Sequence, residues 1–294
     1  MNFSHLYEIY CNRINKKLFE IMQELPFQNS VLLKAMKYST LSGGKRLRSC
    51  LIYVTGEMFQ VHITTLDVIS AAVELVHSYS LIHDDLPCID NDHFRRGKSS
   101  CHIKYGENFA LLAGDALQGL AFNILSSNHM PGVHDSMRLK MISEFSNSIG
   151  CSGMCIGQML DLEKETKNIN ISELEEINLY KTAFLIRCSI RLAYFSSNHF
   201  SKEILFILDK FSVSIGLAFQ IQDDIFDLEN DTKKLKDKKN KIKNTYPLLI
   251  GLKKSKIKIK KLYKEAFFAL ENLKKKFDVN KLELLTQFII KRFK

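Results

Sequence analysis

Two short runs of aspartate carry the densest chemistry in this 294-residue chain. The first is His83-Asp84-Asp85-Leu86-Pro87-Cys88-Ile89-Asp90, which closes an almost wholly apolar stretch. Pro87 interrupts regular backbone hydrogen bonding, so the chain can turn and bring Asp90 back beside Asp84 and Asp85. The second is Phe219-Gln220-Ile221-Gln222-Asp223-Asp224-Ile225-Phe226-Asp227. Here Gln220, Asp223, Asp224 and Asp227 fall at i, i+3, i+4 and i+7, on one face of one helix. Carboxylates this dense repel one another unless cations neutralise them. A donor set of carboxylates, without histidine or thiolate, suits Mg²⁺, which keeps several waters and bridges to phosphate oxygens.

Cationic groups suited to a diphosphate accompany them. Gly43-Gly44-Lys45-Arg46-Leu47-Arg48 reads as the opening of a helix. Backbone N–H groups, the helix dipole, Lys45 and Arg48 could there face one anion. It is no Walker loop, because Leu47 stands where Ser or Thr is needed. Arg95 and Arg96 follow the first aspartates, where forked guanidinium donors would meet metal-bound phosphate oxygens. His77 lies seven residues before Asp84, on the same helix face two turns earlier.

With these residues in order, the chain resembles the trans-isoprenyl diphosphate synthases, and among them the bacterial farnesyl diphosphate synthases. The resemblance runs through Gly43 to Arg48, Glu74 to His83 leading into the first aspartates, and Arg95-Arg96-Gly97-Lys98. It continues with Gly114-Asp115-Ala116-Leu117, Gly157-Gln158-x-x-Asp161, Lys181-Thr182, the second aspartate run and Lys243-Asn244-Thr245-Tyr246-Pro247. It implies a homodimer of all-α subunits, each a bundle around a deep central cavity. The implied reaction joins isopentenyl diphosphate to dimethylallyl and then geranyl diphosphate, with three Mg²⁺ per site. Gly44, Lys45, Arg48, His77 and Arg96 would hold isopentenyl diphosphate. Arg95, Lys181, Thr182, Gln220 and Lys243 would contact the allylic diphosphate. Asp84, Asp90 and Asp223 would lead as metal ligands, supported by Asp85, Asp224 and Asp227. Tyr79, with Ser80 beside it, would stop chain growth at fifteen carbons. A geranylgeranyl-type synthase fits the first aspartate run as well, and a non-catalytic partner subunit is the reading from another class. Three departures from the family pattern stand out: Ser49 where proline is usual, Ala183 for the glycine of Lys-Thr-Gly, and a shorter Leu235-Lys236-Asp237-Lys238-Lys239-Asn240 in place of a glycine-containing loop. Either Lys236 or Lys238 would take over the loop's phosphate-binding lysine.

Long helices must position such residues. Apolar residues recur at helical spacing through 3–25, 30–42, 46–60, 64–84, 107–127, 137–163, 172–196, 201–228, 245–273 and 279–292. Only four prolines and 13 glycines punctuate the chain. The expectation is an all-α fold of about ten or more helices, in one domain over 1–294, with 64–84 buried all round. Lys256 to Lys260 alternates like a strand, but good helix formers flank it and a helix is expected there. Residues 233–264 hold fourteen lysines against one acid, which leaves the rest of the chain at a formal −3 of a total +10. The body is therefore no nucleic-acid-gripping surface, and the run reads as a solvated face. Seven cysteines without a paired zinc-type spacing, and an amphipathic start in place of a secretory core, point to free thiols in the cytoplasm. No charge-free apolar run of about 18 residues is present, so no membrane span is expected.

Overall fold

The structure, a computed structural model, describes residues 3–164, 167–197, 199–231 and 244–291. It divides into two compact units, Met1–Ile142 with Ser196–Asn198, and Ser143–Phe195 with His199–Lys294.

The first unit opens with α1 (Phe3–Glu24), α2 (Val31–Leu41), α3 (Leu47–Met58) and α4 (Ile63–Asp84). A hairpin of β1 (Phe94–Arg95) and β2 (Lys98–Ser99) follows, then α5 (Cys101–Tyr105), α6 (Glu107–Ser127) and the start of α7 (Asp135–Ile149). Helix α4 is the core element, buried at Leu66, Val68, Ile69, Ala71, Ala72, Val73, Leu75 and Val76 as its apolar run requires. Helix α1 docks through its amphipathic face, burying Tyr10, Ile14, Leu18, Ile21 and Met22, although Ile9 is exposed. The Tyr10 and Tyr53 rings stack at 5.1 Å, and the Arg13 guanidinium forks onto both Asp67 oxygens at 2.7 Å.

The second unit holds α8 (Met154–Lys164), α9 (Ile171–Asn178), a π-helical turn (Leu179–Ala183), α10 (Phe184–Phe195) and the 30-residue α11 (Lys202–Asp231). It closes with α12 (Tyr246–Ile250), α13 (Leu252–Lys274) and α14 (Asn280–Lys291). A capping box at Asn170 and Glu173 starts α9. Arg191 on α10 ties Glu144 of α7 to Asp209 of α11 at 2.8 and 2.5 Å.

The all-α expectation holds, with the two-residue strands of the hairpin as the exception among the described residues. Segment 137–163 is two helices, α7 and α8, because backbone turns at Gly150–Gly153 interrupt it. Segment 245–273 is likewise split, at Gly251, into α12 and α13. The alternating lysines of 256–260 lie inside α13, as helix propensity dictated. All seven cysteines are free thiols. By length and composition, allowing a few charges, Ile63–Asp84, Glu107–Ser127 and Lys202–Glu229 are long and apolar enough to cross a membrane. In α4 that apolarity serves the protein interior, with 83% of the window buried.

Candidate active site

In the first unit the Gly43-Gly44 turn, hairpin and end of α4 converge. Gly44 has φ +133°, and a side chain there would lie 2.8 Å from the Arg96 guanidinium. Glycine therefore lets Arg96 rest against the turn, where its Nη1 donates to the Gly43 carbonyl. The hairpin supplies that reach: Arg96 and Gly97 both have positive φ, as a type I′ turn demands, and Arg95 pairs with Lys98. Arg46 enters α3 in the left-handed region at φ 47° and turns inward. Its guanidinium meets Glu74 at 2.8 Å in a pair almost fully shielded from water, and also donates to Asn15 and the Thr40 carbonyl. Arg46 thus anchors the turn. Lys45 and Arg48 flank it in sequence, and the Tyr7 hydroxyl donates to the Lys45 carbonyl.

Ser49 now has a role. Its hydroxyl donates to Glu74 at 2.8 Å, completing the buried pair. His77 lies one α4 turn beyond Glu74. Burial first, then the charges of Arg48, Arg96, Arg46 and Arg95, push its imidazole well below the usual histidine range. Arg46 and Arg95 are balanced by Glu74 and Asp85, so the surroundings of His77 are positive chiefly through Arg48 and Arg96.

The first aspartates turn as Pro87 led one to expect: the Asp90 amide donates to the Asp84 carbonyl at 2.9 Å. Asp85 is buried, and Arg95 Nε donates to it at 2.9 Å with Nη2 beside it. Burial raises the Asp85 carboxyl above its usual range, partly offset by Arg95. Asp85 is thus engaged in holding Arg95, while Asp84 and Asp90 are only partly covered. Tyr79 is buried, its ring edge-on to His83 at 5.5 Å, and Ser80 donates to the His77 carbonyl.

In the second unit α11 presents Gln220, Asp223, Asp224 and Asp227 along one side. Asp224 accepts from Gln220 Nε2 at 3.0 Å and from the Tyr246 amide at 3.1 Å. Burial raises its carboxyl above the usual range, with those two donors opposing. Asp224 parallels Asp85 in being spent on protein donors, although it is only partly covered, as is its neighbour Asp223. Gln220 also accepts from the Thr182 hydroxyl at 3.0 Å.

Lys181 and Thr182 sit in the π-helical turn, a geometry that favours functional positions. Helix α8 packs directly on it: a side chain at Gly157 would lie 2.3 Å from the Lys181 nitrogen. The methyl of Ala183 is accommodated because residue 216 is glycine, where a Cβ would come within 2.7 Å of it. Lys181 Nζ lies 2.5 Å from Asp161, which also pairs with Lys164. The two lysines hold the Asp161 carboxyl below its usual range against the effect of burial. Asp161 was not among the site residues expected from sequence, although the Gly-Gln-x-x-Asp spacing contained it. Asn244, buried, donates to the Lys164 and Lys167 carbonyls at 2.8 and 3.1 Å. Lys236, Lys238 and Lys243 lie outside the described residues.

Among the described residues no three carboxylate, imidazole or thiol groups form a ready-made metal cage. The candidate donors Asp84, Asp90 and Asp223 are all carboxylates, hard oxygen ligands of the kind Mg²⁺ takes alongside water and phosphate. Behind Arg95 and Arg96 a cavity of about 40 Å³ opens between Ser78, Asp85, Ser100 and Cys101.

A family model described as polyprenyl synthetase matches residues 29–279. The chain is 86% identical, over its whole length and that of its relative, to a farnesyl diphosphate synthase of Buchnera aphidicola subsp. Schizaphis graminum. It is 46% identical to the farnesyl diphosphate synthase of Escherichia coli K12, again with both chains fully covered. Among solved structures, a geranyltransferase from Legionella pneumophila superposes with a TM-score of 0.89 at 33% identity, covering 99% of this chain and 97% of that one.

Proposed function

This chain belongs to the polyprenyl synthetase family, and from that premise we propose that it condenses isopentenyl diphosphate with dimethylallyl and then geranyl diphosphate to give farnesyl diphosphate. The observation that carries the reading is the meeting of the hairpin arginines with the Gly43-Gly44 turn and the first aspartate run, Arg96 resting on the Gly43 carbonyl and Arg95 on Asp85. In the reaction the allylic carbon–oxygen bond breaks and diphosphate departs. The alkene of isopentenyl diphosphate attacks the resulting cation, and a proton is lost to the released diphosphate.

Asp84, Asp90 and Asp223 are the residues that would hold Mg²⁺. Bound Mg²⁺ supplies Lewis acidity at the diphosphate oxygens. The protein's own part is fixed charge and exclusion of water. Lys45, Arg48 and Arg96, with the Gly44 backbone, bind the isopentenyl diphosphate, and neutral His77 can donate or accept a hydrogen bond there. Arg95, Lys181, Thr182, Gln220 and Lys243 bind the allylic diphosphate. Asp85 and Asp224 act as positioning groups, the first aiming Arg95 and the second fixing Gln220 and Tyr246. Asp161 sets Lys181.

We read residues 1–294 as one functional domain, since the family match runs continuously through 29–279. A cytoplasmic homodimer completes the proposal. Free thiols suit a reducing compartment. An apolar helix with only 39% of its window buried, α6, offers Leu111 and Leu112 to a second copy. Incubating the pure protein with dimethylallyl and isopentenyl diphosphates, with and without Mg²⁺, tests the function. The expected result is a metal-dependent fifteen-carbon diphosphate by chromatography. A mainly twenty-carbon product would replace the farnesyl reading with a geranylgeranyl one. No product at all would leave the non-catalytic partner subunit.

A further inference from the structure

Helix α13 carries seven lysines within 253–264 and no arginine. Its inner side is fixed to the second unit by Leu262, Tyr263, Ala266, Leu270 and Leu273, with the Tyr263 hydroxyl donating to Gln222 at 2.6 Å. The outer side is a single stripe: Lys253, Ile257, Lys260, Lys264 and Phe268 recur at helical spacing, and all are exposed. Lys256, Lys258 and Lys261 pair with Glu229, Glu175 and Glu265. Lys253, Lys254, Lys260 and Lys264 make no ion pair with any described residue.

A lysine run alone is usually a solvated face. The apolar side chains set this one apart. Ile257 is 58% exposed and Phe268 73% exposed, in line with the unpaired lysines and about 16 Å apart along the axis. Ile257 lies among the lysines and Phe268 one turn beyond Lys264, between Glu265 and Glu271; keeping two large apolar groups in water gives the fold nothing, whereas a lipid interface accommodates both. Lysine ammonium groups meet anionic headgroups while Ile257 and Phe268 enter the acyl boundary. A nucleic-acid surface would use the charge but leave Ile257 and Phe268 without a purpose. The acids of the helix, Glu265 and Glu271, lie toward its second half, so the attraction is centred on its first three turns.

We propose that the exposed face of α13 docks the protein reversibly on anionic lipid bilayers. The proposal is independent of the catalytic reading, because α13 contributes none of the residues assigned to substrate or metal. The test is co-sedimentation of the full chain with phosphatidylcholine vesicles and with vesicles in which about a third of the lipid is phosphatidylglycerol. Binding is expected to the anionic vesicles only, and to weaken with added salt. Each lysine reversed should lower partitioning about fivefold or more, so Lys260→Glu with Lys264→Glu loses at least about twentyfold. Ile257→Ser with Phe268→Ser should also reduce vesicle binding while leaving binding to a single-stranded RNA homopolymer unchanged. Circular dichroism and turnover with soluble substrates should match wild type in both variants, since every altered side chain is exposed. Equal binding to neutral and anionic vesicles, wild-type vesicle binding by the Lys260→Glu/Lys264→Glu variant, or undiminished vesicle binding after loss of Ile257 and Phe268 would each overturn it. The last outcome would mark the face as a polyanion surface.

Discussion

At the scale of single residues, the two aspartate runs divide their labour in the same way. In each, the second aspartate is bound to protein donors, Asp85 to Arg95 and Asp224 to Gln220 and the Tyr246 amide. Asp84 is more accessible than Asp85, and the first aspartate of each run is the one we assign to a cation. Asp84→Asn keeps the shape and removes the charge, so turnover should fall on the order of 10²-fold or more while the fold persists. Steady-state kinetics with matched thermal melts would check this, and near wild-type turnover would refute the metal assignment. Tyr79 carries a second residue-scale expectation. It lies about 7 Å along α4 from Asp84, where a ring at fixed depth can block a growing tail. Tyr79→Ala should shift the product to twenty carbons or longer, read by chromatography of dephosphorylated products. An unchanged distribution would place the stop elsewhere. Truncating a buried ring also costs about 3–5 kcal/mol, so the assay belongs well below the melting temperature.

At the scale of elements, the Gly43-Gly44 turn depends on a charge pair it never shows to solvent. Arg46 and Glu74 lock the start of α3 to α4, with Ser49 as third member. Glu74→Ala would strand the Arg46 guanidinium in the interior and should cost about 3–5 kcal/mol in urea unfolding. Adding Arg46→Met should restore a large part of that loss, since no charge then remains buried. If the double variant is no better than the single one, the pair is not what holds the turn. The π-helical turn makes a parallel case. Gly157→Ala would drive a methyl into the Lys181 backbone, which cannot yield as a flexible side chain could. A loss of about 1–3 kcal/mol is expected, together with a raised KM for the allylic substrate as Lys181 shifts. An unaltered melting temperature would mean that α8 and the turn part easily.

At the scale of the whole molecule, α6 is the least buried of the three long apolar helices. It is apolar enough to be a core helix, yet Leu111 and Leu112 are about half exposed. A second copy covering that face explains the composition better than solvent does. Leu111→Arg with Leu112→Arg should therefore convert a dimer to a monomer by light scattering and lower the melting temperature. A wild-type chain that is monomeric at micromolar concentration would remove the dimer.

Much of this protein follows from pattern within the chain. Helical periodicity decided the all-α class, because burial of one face every 3.6 residues is a property of local spacing. The aspartate runs were legible as dense charge where an apolar helix should end, and Arg95-Arg96 as the cations that follow the first of them, whereas Lys181-Thr182 was marked only by the family resemblance. Pro87 announced the turn that returns Asp90 to Asp84. What the chain could not announce is which charges face inward. Arg46 and Arg48 stand two residues apart in one basic motif, and only the left-handed backbone at Arg46 sends its side chain to Glu74. Asp84 and Asp85 are adjacent and chemically identical, and packing alone assigned one of them to Arg95. The hydroxyl of Ser49 read as a departure until a carboxylate 25 residues away supplied its partner. Local spacing determines which elements form; partners distant in sequence are chosen by packing, because desolvation is settled only when the elements meet.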